Sequence, residues 1–237
     1  MSNLPVYISE VFILTTLLTL ILFFRSVAWS KKIIIIVSGW TILQGIIGLS
    51  GFYTKTSALP PRFALLIIPP LIATGILFIT AKGRSFIDTI DIRILTLIHI
   101  VRIPVELVLY LLFINKLVPE VMTFEGRNWD ILSGLSAPII YYFGFVKGTI
   151  NRKIILLWNF ICLLLLVNII ITAVLSAPFP FQKLGFDQPN TAILYFPFIW
   201  LPGIIVPIVL FSHLTSIRFA LGISPRKIEV CVEKLTS

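Results

Sequence analysis

Seven long apolar stretches dominate the 237-residue chain and limit what it can fold into. A hydrocarbon core about 30 Å thick is crossed by a helix of roughly 20 apolar residues. With 58% hydrophobic residues, the chain offers such a segment seven times, separated by short connections. We therefore predict an all-α integral membrane protein, a seven-transmembrane-helix bundle that forms a single domain over residues 1–237. The predicted spans are 6–24, 33–53, 63–81, 94–115, 131–147, 154–176 and 192–217.

The basic residues between the spans predict the orientation of the bundle. Thirteen of the 19 Lys and Arg residues lie in the first, third and fifth connections and in the C-terminal segment, whereas five lie in the N-terminus and the even connections. Lys and Arg favour the cytoplasmic side of a membrane. We expect the N-terminus outside, a short basic cytoplasmic tail at 218–237, and a multi-pass location in the cell membrane, plasma or inner.

Charge and cysteine usage exclude several classes of function. The net charge of +9 does not indicate a nucleic-acid partner, because the charges are dispersed between apolar spans and share no polar face. Cys162 lies in the sixth span and Cys231 in the tail, so the sequence predicts neither a disulfide nor a redox pair. The expected partners are the lipid bilayer and a small-molecule or ion substrate, and homo-oligomerisation stays open.

The fourth span carries the sharpest functional signal, because it contains His99, Arg102 and Glu106. At about 100° per residue the three side chains fall within about 60° of one another, so they share one helix face. A charge at mid-membrane costs at least about 2.5–3.5 kcal/mol, which favours a functional role and an inward orientation. We expect Arg102 to pair with Glu106 and the three residues to line a substrate or proton pathway. The alternative is a buried ionic clasp between helices.

Prolines inside the spans predict that several helices are not straight. Each proline removes a backbone donor and frees a carbonyl group, and such groups must be satisfied by protein or by a water-lined cavity. We predict kinks in the third, fourth, fifth and seventh helices. The prolines concerned are Pro69, Pro70, Pro104, Pro138, Pro197, Pro202 and Pro207.

Other polar and aromatic residues are candidates for the same pathway or its outer mouth. Gln44 lies beside a stripe of small residues in the second span, Tyr141 lies in the fifth, and Trp200 lies close to a proline in the seventh. Asp130 and Asp187 end or interrupt long outer connections, where functional residues are often found. For each of these residues, ordinary packing or anchoring at the membrane interface is the alternative interpretation.

The two histidines of the chain, His99 and His213, are predicted to lie at similar depth on two helices of opposite direction. Facing histidines can be the axial ligands of a haem b, so a bis-histidine haem is a minor alternative. No cofactor is otherwise predicted. A catalytic zinc ion usually has three protein ligands, and the sequence offers no third ligand beside the two histidines.

The sequence leaves three classes of function open. The first is a small-solute or proton-coupled transporter, with Arg102 and Glu106 at its intramembrane site and His99 as a proton relay. The second is a membrane-embedded enzyme acting on a lipid or isoprenoid, with Glu106 or Asp187 as acid or base. The third is a receptor or scaffold without transport or chemistry, in which the charged residues only join helices.

Overall fold

The computed structural model describes residues 4–57 and 61–223, and this part of the chain is helical without a strand. The part of the predicted tail beyond residue 223, including Cys231, lies outside the described residues. In the two described ranges the helices are α1 (Val6–Ser26), α2 (Lys31–Leu49), α3 (Ala64–Ile79), α4 (Ala81–Ile87), α5 (Ile92–Ile98), α6 (Arg102–Ile114), α7 (Ile131–Tyr141), α8 (Arg152–Ser176) and α9 (Val206–Ala220).

Among the described residues, five helical segments are long and apolar enough to cross a membrane. They are Val6–Ser26, Lys31–Leu49, Ile92–Ile114, Arg152–Ser176 and Leu201–Ala220. A sixth arises if α3 and α4, which meet at an angle of 95°, are taken as one broken span. The fifth predicted span corresponds to a shorter apolar helix, Ile131–Val146. The chain therefore has the architecture of a helical membrane protein.

The third predicted span bends at Thr80, and its two prolines are not the cause. Pro69 and Pro70 lie inside α3, whereas Thr80 has an extended backbone between α3 and α4. The Thr80 hydroxyl accepts a hydrogen bond from the backbone N–H of Gly83 and so caps α4. A Cβ atom on Gly83 would collide with the carbonyl oxygen of Leu77, so only glycine permits this sharp turn.

The fourth predicted span is interrupted where its proline predicts. A 3₁₀ turn, His99–Val101, separates α5 from α6. Pro104 has no N–H to donate to the carbonyl of Ile100, which explains the local departure from α-helical geometry. Similarly, Pro138 lies inside α7, which continues as a π-helical turn at Tyr142–Val146.

Two predicted boundaries are wrong. The second span ends at Leu49, because Gly51 adopts a left-handed conformation that stops α2. The seventh span begins near residue 201, because residues 192–194 form an isolated 3₁₀ turn and Pro197 provides no N–H to extend a helix backwards from there. A π-helical turn at Leu201–Ile205 then leads into α9.

The fourth and last spans form the centre of the bundle, and α2 lies at its edge. In an 18-residue apolar stretch of the last span 67% of the residues are buried, whereas in the corresponding stretch of α2 the share is 22%. Helix α9 packs against α8 and α5, and α1 packs against α5 and α6. On α2 the side chains of Ile35, Ile36 and Ile46 are exposed, as expected for a face in contact with lipid. The centre is therefore the part of the fold where buried charge must be accommodated.

Candidate functional site

The inward face predicted for the fourth span is confirmed. His99, Arg102 and Glu106 are 0%, 2% and 1% exposed. His99 begins the 3₁₀ turn and Arg102 begins α6, so the break in the helix lies within the charged face itself. The sequence therefore places three ionisable groups at the point where the central helix changes geometry.

Arg102 forms its ion pair with Asp130, and the predicted pairing with Glu106 is wrong. Arg102 Nη1 lies 2.5 Å from Asp130 Oδ1, and it also donates to the carbonyl oxygen of Cys162 at 3.3 Å. Burial raises the pKa of Asp130, while the neighbouring Arg102 charge acts in the opposite direction. The ion pair thus joins α6 to the start of α7, and the Cys162 contact adds α8.

Close packing between α7 and the 3₁₀ turn brings Asp130 to Arg102. Asp130 directly precedes the first residue of α7. One turn further along, a Cβ atom added to Gly134 would lie 2.8 Å from Ile103 Cγ1 and 3.2 Å from the His99 carbonyl oxygen. The absence of a side chain at Gly134 therefore lets the two segments approach closely enough for the ion pair to form.

His213 extends the cluster to α9, and its tautomer follows from its partners. Arg102 Nη2 lies 2.8 Å from His213 Nε2, and His213 Nδ1 lies 3.0 Å from Asn159 Oδ1. Because arginine only donates, Nε2 must accept and Nδ1 must carry the hydrogen. The Asn159 amide nitrogen donates to the Ile155 carbonyl, which is consistent with its oxygen facing the histidine. His213 is therefore neutral and acts as an acceptor for Arg102.

Glu106 is held by an amide instead of a cation. Asn128 Nδ2 lies 2.6 Å from each Glu106 carboxylate oxygen and 3.0 Å from the Met122 carbonyl. Asn128 Oδ1 accepts a hydrogen bond from the backbone N–H of Asp130 at 3.1 Å. Asn128 thus fixes both acidic residues relative to each other. The two amide hydrogens are shared among three acceptors, so the Glu106 carboxylate retains unused acceptor capacity.

The prediction that His99 and His213 lie at similar depth is confirmed, but their arrangement does not suit a haem. The rings are stacked with centroids 4.0 Å apart and an interplanar angle of 23°, and Trp158 meets His99 edge-on at 5.5 Å. Parallel rings at this distance leave no space for a macrocycle between them, and both nitrogens of His213 are already hydrogen-bonded. Both ring nitrogens of His99 are buried and have no hydrogen-bond partner.

A cavity of about 180 Å³ borders the charged cluster. It lies between α3, α6, α8 and the segment from the π-helical turn into α9, and Arg102, Glu106 and Asp130 are the charged residues in its lining. The rest of the lining is apolar. It includes Ile67 of α3 and Phe63, which directly precedes α3. The site therefore combines ionised or protonatable groups with an apolar space large enough for a ligand.

Two residues predicted for the same pathway instead stabilise the edge of the bundle. Gln44 Oε1 accepts a hydrogen bond from the Tyr53 hydroxyl at 2.5 Å. Trp200 Nε1 donates to the Thr41 carbonyl at 3.0 Å. Both contacts attach α2 to its neighbours. Neither Gln44 nor Trp200 is among the residues that line the cavity beside Arg102.

Tyr141 and Asp187 also lie apart from the cluster. Tyr141 borders a separate polar depression together with Arg25, Asp91 and Arg93. There burial raises the pKa of Asp91, but the hydrogen bonds and charge of Arg93 outweigh burial and leave that pKa below its ordinary value. Asp187 is exposed on the loop before the last span. Of the two outer-loop candidates, the structure brings only Asp130 into the site.

Sequence reasoning missed two amides that organise the site, Asn128 and Asn159. A signal for Asn128 was available in the sequence, because this residue lies two positions before Asp130. Asn side chains often accept a hydrogen bond from the backbone N–H two residues ahead. Asn159 lies in a long apolar helix, where a buried polar side chain indicates a partner within the bundle. The identity of that partner could not be read from the sequence.

The comparisons with known proteins name a family but give no function. No match was found among curated proteins or among solved structures. The matched region covers residues 57–221, more than half of the chain, and includes every residue of the buried charged cluster. The chain belongs to the family described as "Domain of unknown function (DUF8737)".

Proposed function

We propose that the protein is a small-solute or proton-coupled transporter of the cell membrane, with seven spans, an outer N-terminus and a cytoplasmic C-terminus. The five long apolar helices, the bent α3–α4 pair and the shorter helix Ile131–Val146 together supply seven apolar segments. The distribution of Lys and Arg between these segments supports the orientation.

The observation that carries the proposal is the cavity beside the buried charges. A clasp that only joins helices needs no open space, and an empty space beside a buried ion pair removes packing contacts. Here Arg102, Glu106 and Asp130 all border the same cavity. Charged groups that face a cavity inside a membrane bundle are typical of substrate or ion pathways.

Breaks in the central helices support the same proposal. The 3₁₀ turn His99–Val101 contains the first residue of the charged face, and the π-helical turn Leu201–Ile205 contributes to the cavity lining. Irregular helical geometry at membrane depth occurs where backbone lines a cavity, and broken helices form the substrate sites of many transporters. The two breaks are suitable places for movement around a fixed site.

Reactivity of introduced cysteines tests the proposal without knowledge of the substrate. In a background with Cys162→Ala and Cys231→Ser, we expect Val206→Cys, which lies in the cavity lining, to react with a charged, membrane-impermeant methanethiosulfonate. The matched control is Leu164→Cys on the lipid-facing surface of α8, where Leu164 is 67% exposed. A transporter requires water to reach the cavity in at least one state, and a thiol in hydrocarbon is inert.

The expected result is that Val206→Cys reacts at least about tenfold faster than Leu164→Cys. Equal or slower reaction would show a cavity that water never reaches, and the transporter proposal would be abandoned in favour of a receptor or scaffold. Both variants are compared at equal folded fraction, measured by size-exclusion chromatography in the same detergent.

A membrane-embedded enzyme acting on a lipid or isoprenoid is a second candidate, favoured by the carboxyl group of Glu106 at an apolar cavity. Such an enzyme could use Glu106 as an acid or base. Incubation of reconstituted protein with a total lipid extract, followed by mass spectrometry, distinguishes this candidate. A product formed by the parent and absent with Glu106→Gln would favour the enzyme.

A further inference from the structure

We propose that the cavity binds a monovalent hydrophobic cation, an amine or quaternary ammonium with an apolar body, with Glu106 as its counter-ion in exchange for a proton. This inference rests on the proposed transporter and specifies its substrate class.

The charge balance of the lining favours a cation. Arg102 is paired with Asp130, so these two charges compensate each other. Glu106 is the third charged residue of the lining, and no cation lies within ion-pair distance of it among the residues that the structure describes. An anionic ligand would therefore meet a site whose positive charge is already neutralised. A cationic ligand would meet the one carboxylate without a counter-ion.

Arg102 is the positive charge that acts on Glu106, and it is already paired with Asp130. On its own helix Arg102 is engaged by Asp130, and on the loop before α7 the facing groups are Asn128, which is neutral, and Asp130, which is acidic. On α8 the backbone carbonyl of Cys162, and on α9 the His213 ring, accept hydrogen bonds from Arg102. His213 accepts from Arg102 and is neutral. A buried carboxylate in this position is neutralised either by a proton or by a ligand.

The size and polarity of the cavity specify the rest of the ligand. Its volume of about 180 Å³ is slightly larger than the apolar cavity of roughly 150 Å³ that accommodates benzene in a well-studied engineered protein. Leu109, Leu166, Ile170 and Leu210 are among the aliphatic residues that line it. A ligand of about the size of one aromatic ring, with its charge at the Glu106 end, satisfies both the apolar lining and the carboxylate.

Binding of benzylammonium and benzyltrimethylammonium to the purified full-length protein in nanodiscs tests the inference. Calorimetry at several pH values, in buffers of different ionisation enthalpy, measures both the Kd and the number of protons released. If cation and proton compete for Glu106, the Kd should fall by up to about tenfold for each unit that the pH rises, as long as the free protein has Glu106 protonated. Under those conditions each cation bound should release up to one proton. Benzenesulfonate, an anion of similar size, should bind at least tenfold more weakly.

Two variants assign the effect to Glu106. Glu106→Gln should weaken cation binding at least tenfold and remove its pH dependence, whereas Glu106→Asp should retain the pH dependence. The matched control is Glu120→Gln, because Glu120 is exposed on an outer loop and should leave the Kd unchanged. If Glu106→Gln does not fold, proton release by the parent decides the question.

Tighter binding of benzenesulfonate than of both cations, or no cation binding up to millimolar concentration, would overturn the cation assignment. The cysteine experiment separates this failure from that of the transporter proposal. A cavity reached by water with no affinity for cations leaves a transporter of another substrate. A cavity that binds the cation but is never reached by water leaves a binding protein.

Discussion

The ion pairs Arg102–Asp130 and Arg218–Asp88 use the same two residue types in different surroundings. The side chains of the first pair are 3% and 7% exposed, and those of the second are 14% and 16% exposed. Arg102 also engages the Cys162 carbonyl and His213, whereas Arg218 makes two hydrogen bonds to Asp88 alone. A buried guanidinium needs several protein partners, because water contributes little there.

This difference separates the charges that hold the fold together from those that a ligand can use. Both pairs connect two different helical segments, so the fact of connection does not distinguish them. The Arg102–Asp130 pair, which we call the inner pair, borders a cavity that is also lined by the carboxyl group of Glu106. The Arg218–Asp88 pair joins the end of α9 to the segment after α4. The comparison predicts that mutations of similar chemistry have very different effects at the two places.

The largest expected effect is that of Asp130→Asn. Removal of one partner from a buried ion pair leaves an uncompensated charge and costs about 3–5 kcal/mol of unfolding free energy. The matched change Asp88→Asn should cost about 0.2–1 kcal/mol, as for pairs closer to the surface. Reversible unfolding in mixed micelles, with the same denaturant for both variants, measures the difference. Equal losses would show that burial does not set the strength of the inner pair.

Replacement of both inner partners sharpens the comparison. In Arg102→Met with Asp130→Leu neither charge remains buried, so the double variant should lose less unfolding free energy than Asp130→Asn alone. A residual loss is expected, because His213 Nε2 no longer receives its hydrogen bond from Arg102. The stability test uses the same unfolding assay, and cation binding is measured in parallel. A double variant less stable than Asp130→Asn would contradict the explanation based on unpaired charge.

The sequence predicted which face of the fourth span is buried, but it did not predict that Arg102 pairs with Asp130, and the reason is geometric. His99, Arg102 and Glu106 lie on one helix, so the helical repeat alone places them together. Asp130 reaches Arg102 across 28 residues, and that contact depends on how closely α7 packs against the 3₁₀ turn. Long-range packing of this kind is not encoded in the periodicity of either helix.

The two histidines illustrate how far depth can be predicted. Counting residues from the ends of two helices of opposite direction placed His99 and His213 at one level, and their rings are in contact. The count could not show that the rings stack or that Asn159 fixes the tautomer of His213. Similarly, Pro197 indicated an irregular seventh span, but the 3₁₀ turn at residues 192–194 also depends on contacts with the loop after α6.

A smaller effect is expected at Gly134, which tests the close approach that forms the inner pair. In Gly134→Ala the new methyl group would lie 2.8 Å from Ile103 Cγ1, so α7 must shift. We expect a loss of about 1–3 kcal/mol, typical of overpacking. The control is Gly75→Ala in α3, where nothing lies within 4 Å and helix propensity favours alanine. Equal stability of the two variants would show that Gly134 is not required for the contact.

The smallest expected effect concerns salt, and it again separates the two ion pairs. Raising the ionic strength from 0.1 to 1 M shortens the Debye length from about 10 to about 3 Å, which screens charges near solvent far more than buried ones. The stability difference between the parent and Asp88→Asn should therefore shrink by a few tenths of a kcal/mol, within the worth of such pairs. The difference between the parent and Asp130→Asn should stay constant. If it also shrinks, burial does not protect the Arg102–Asp130 contact from screening, and the contrast between the two pairs fails.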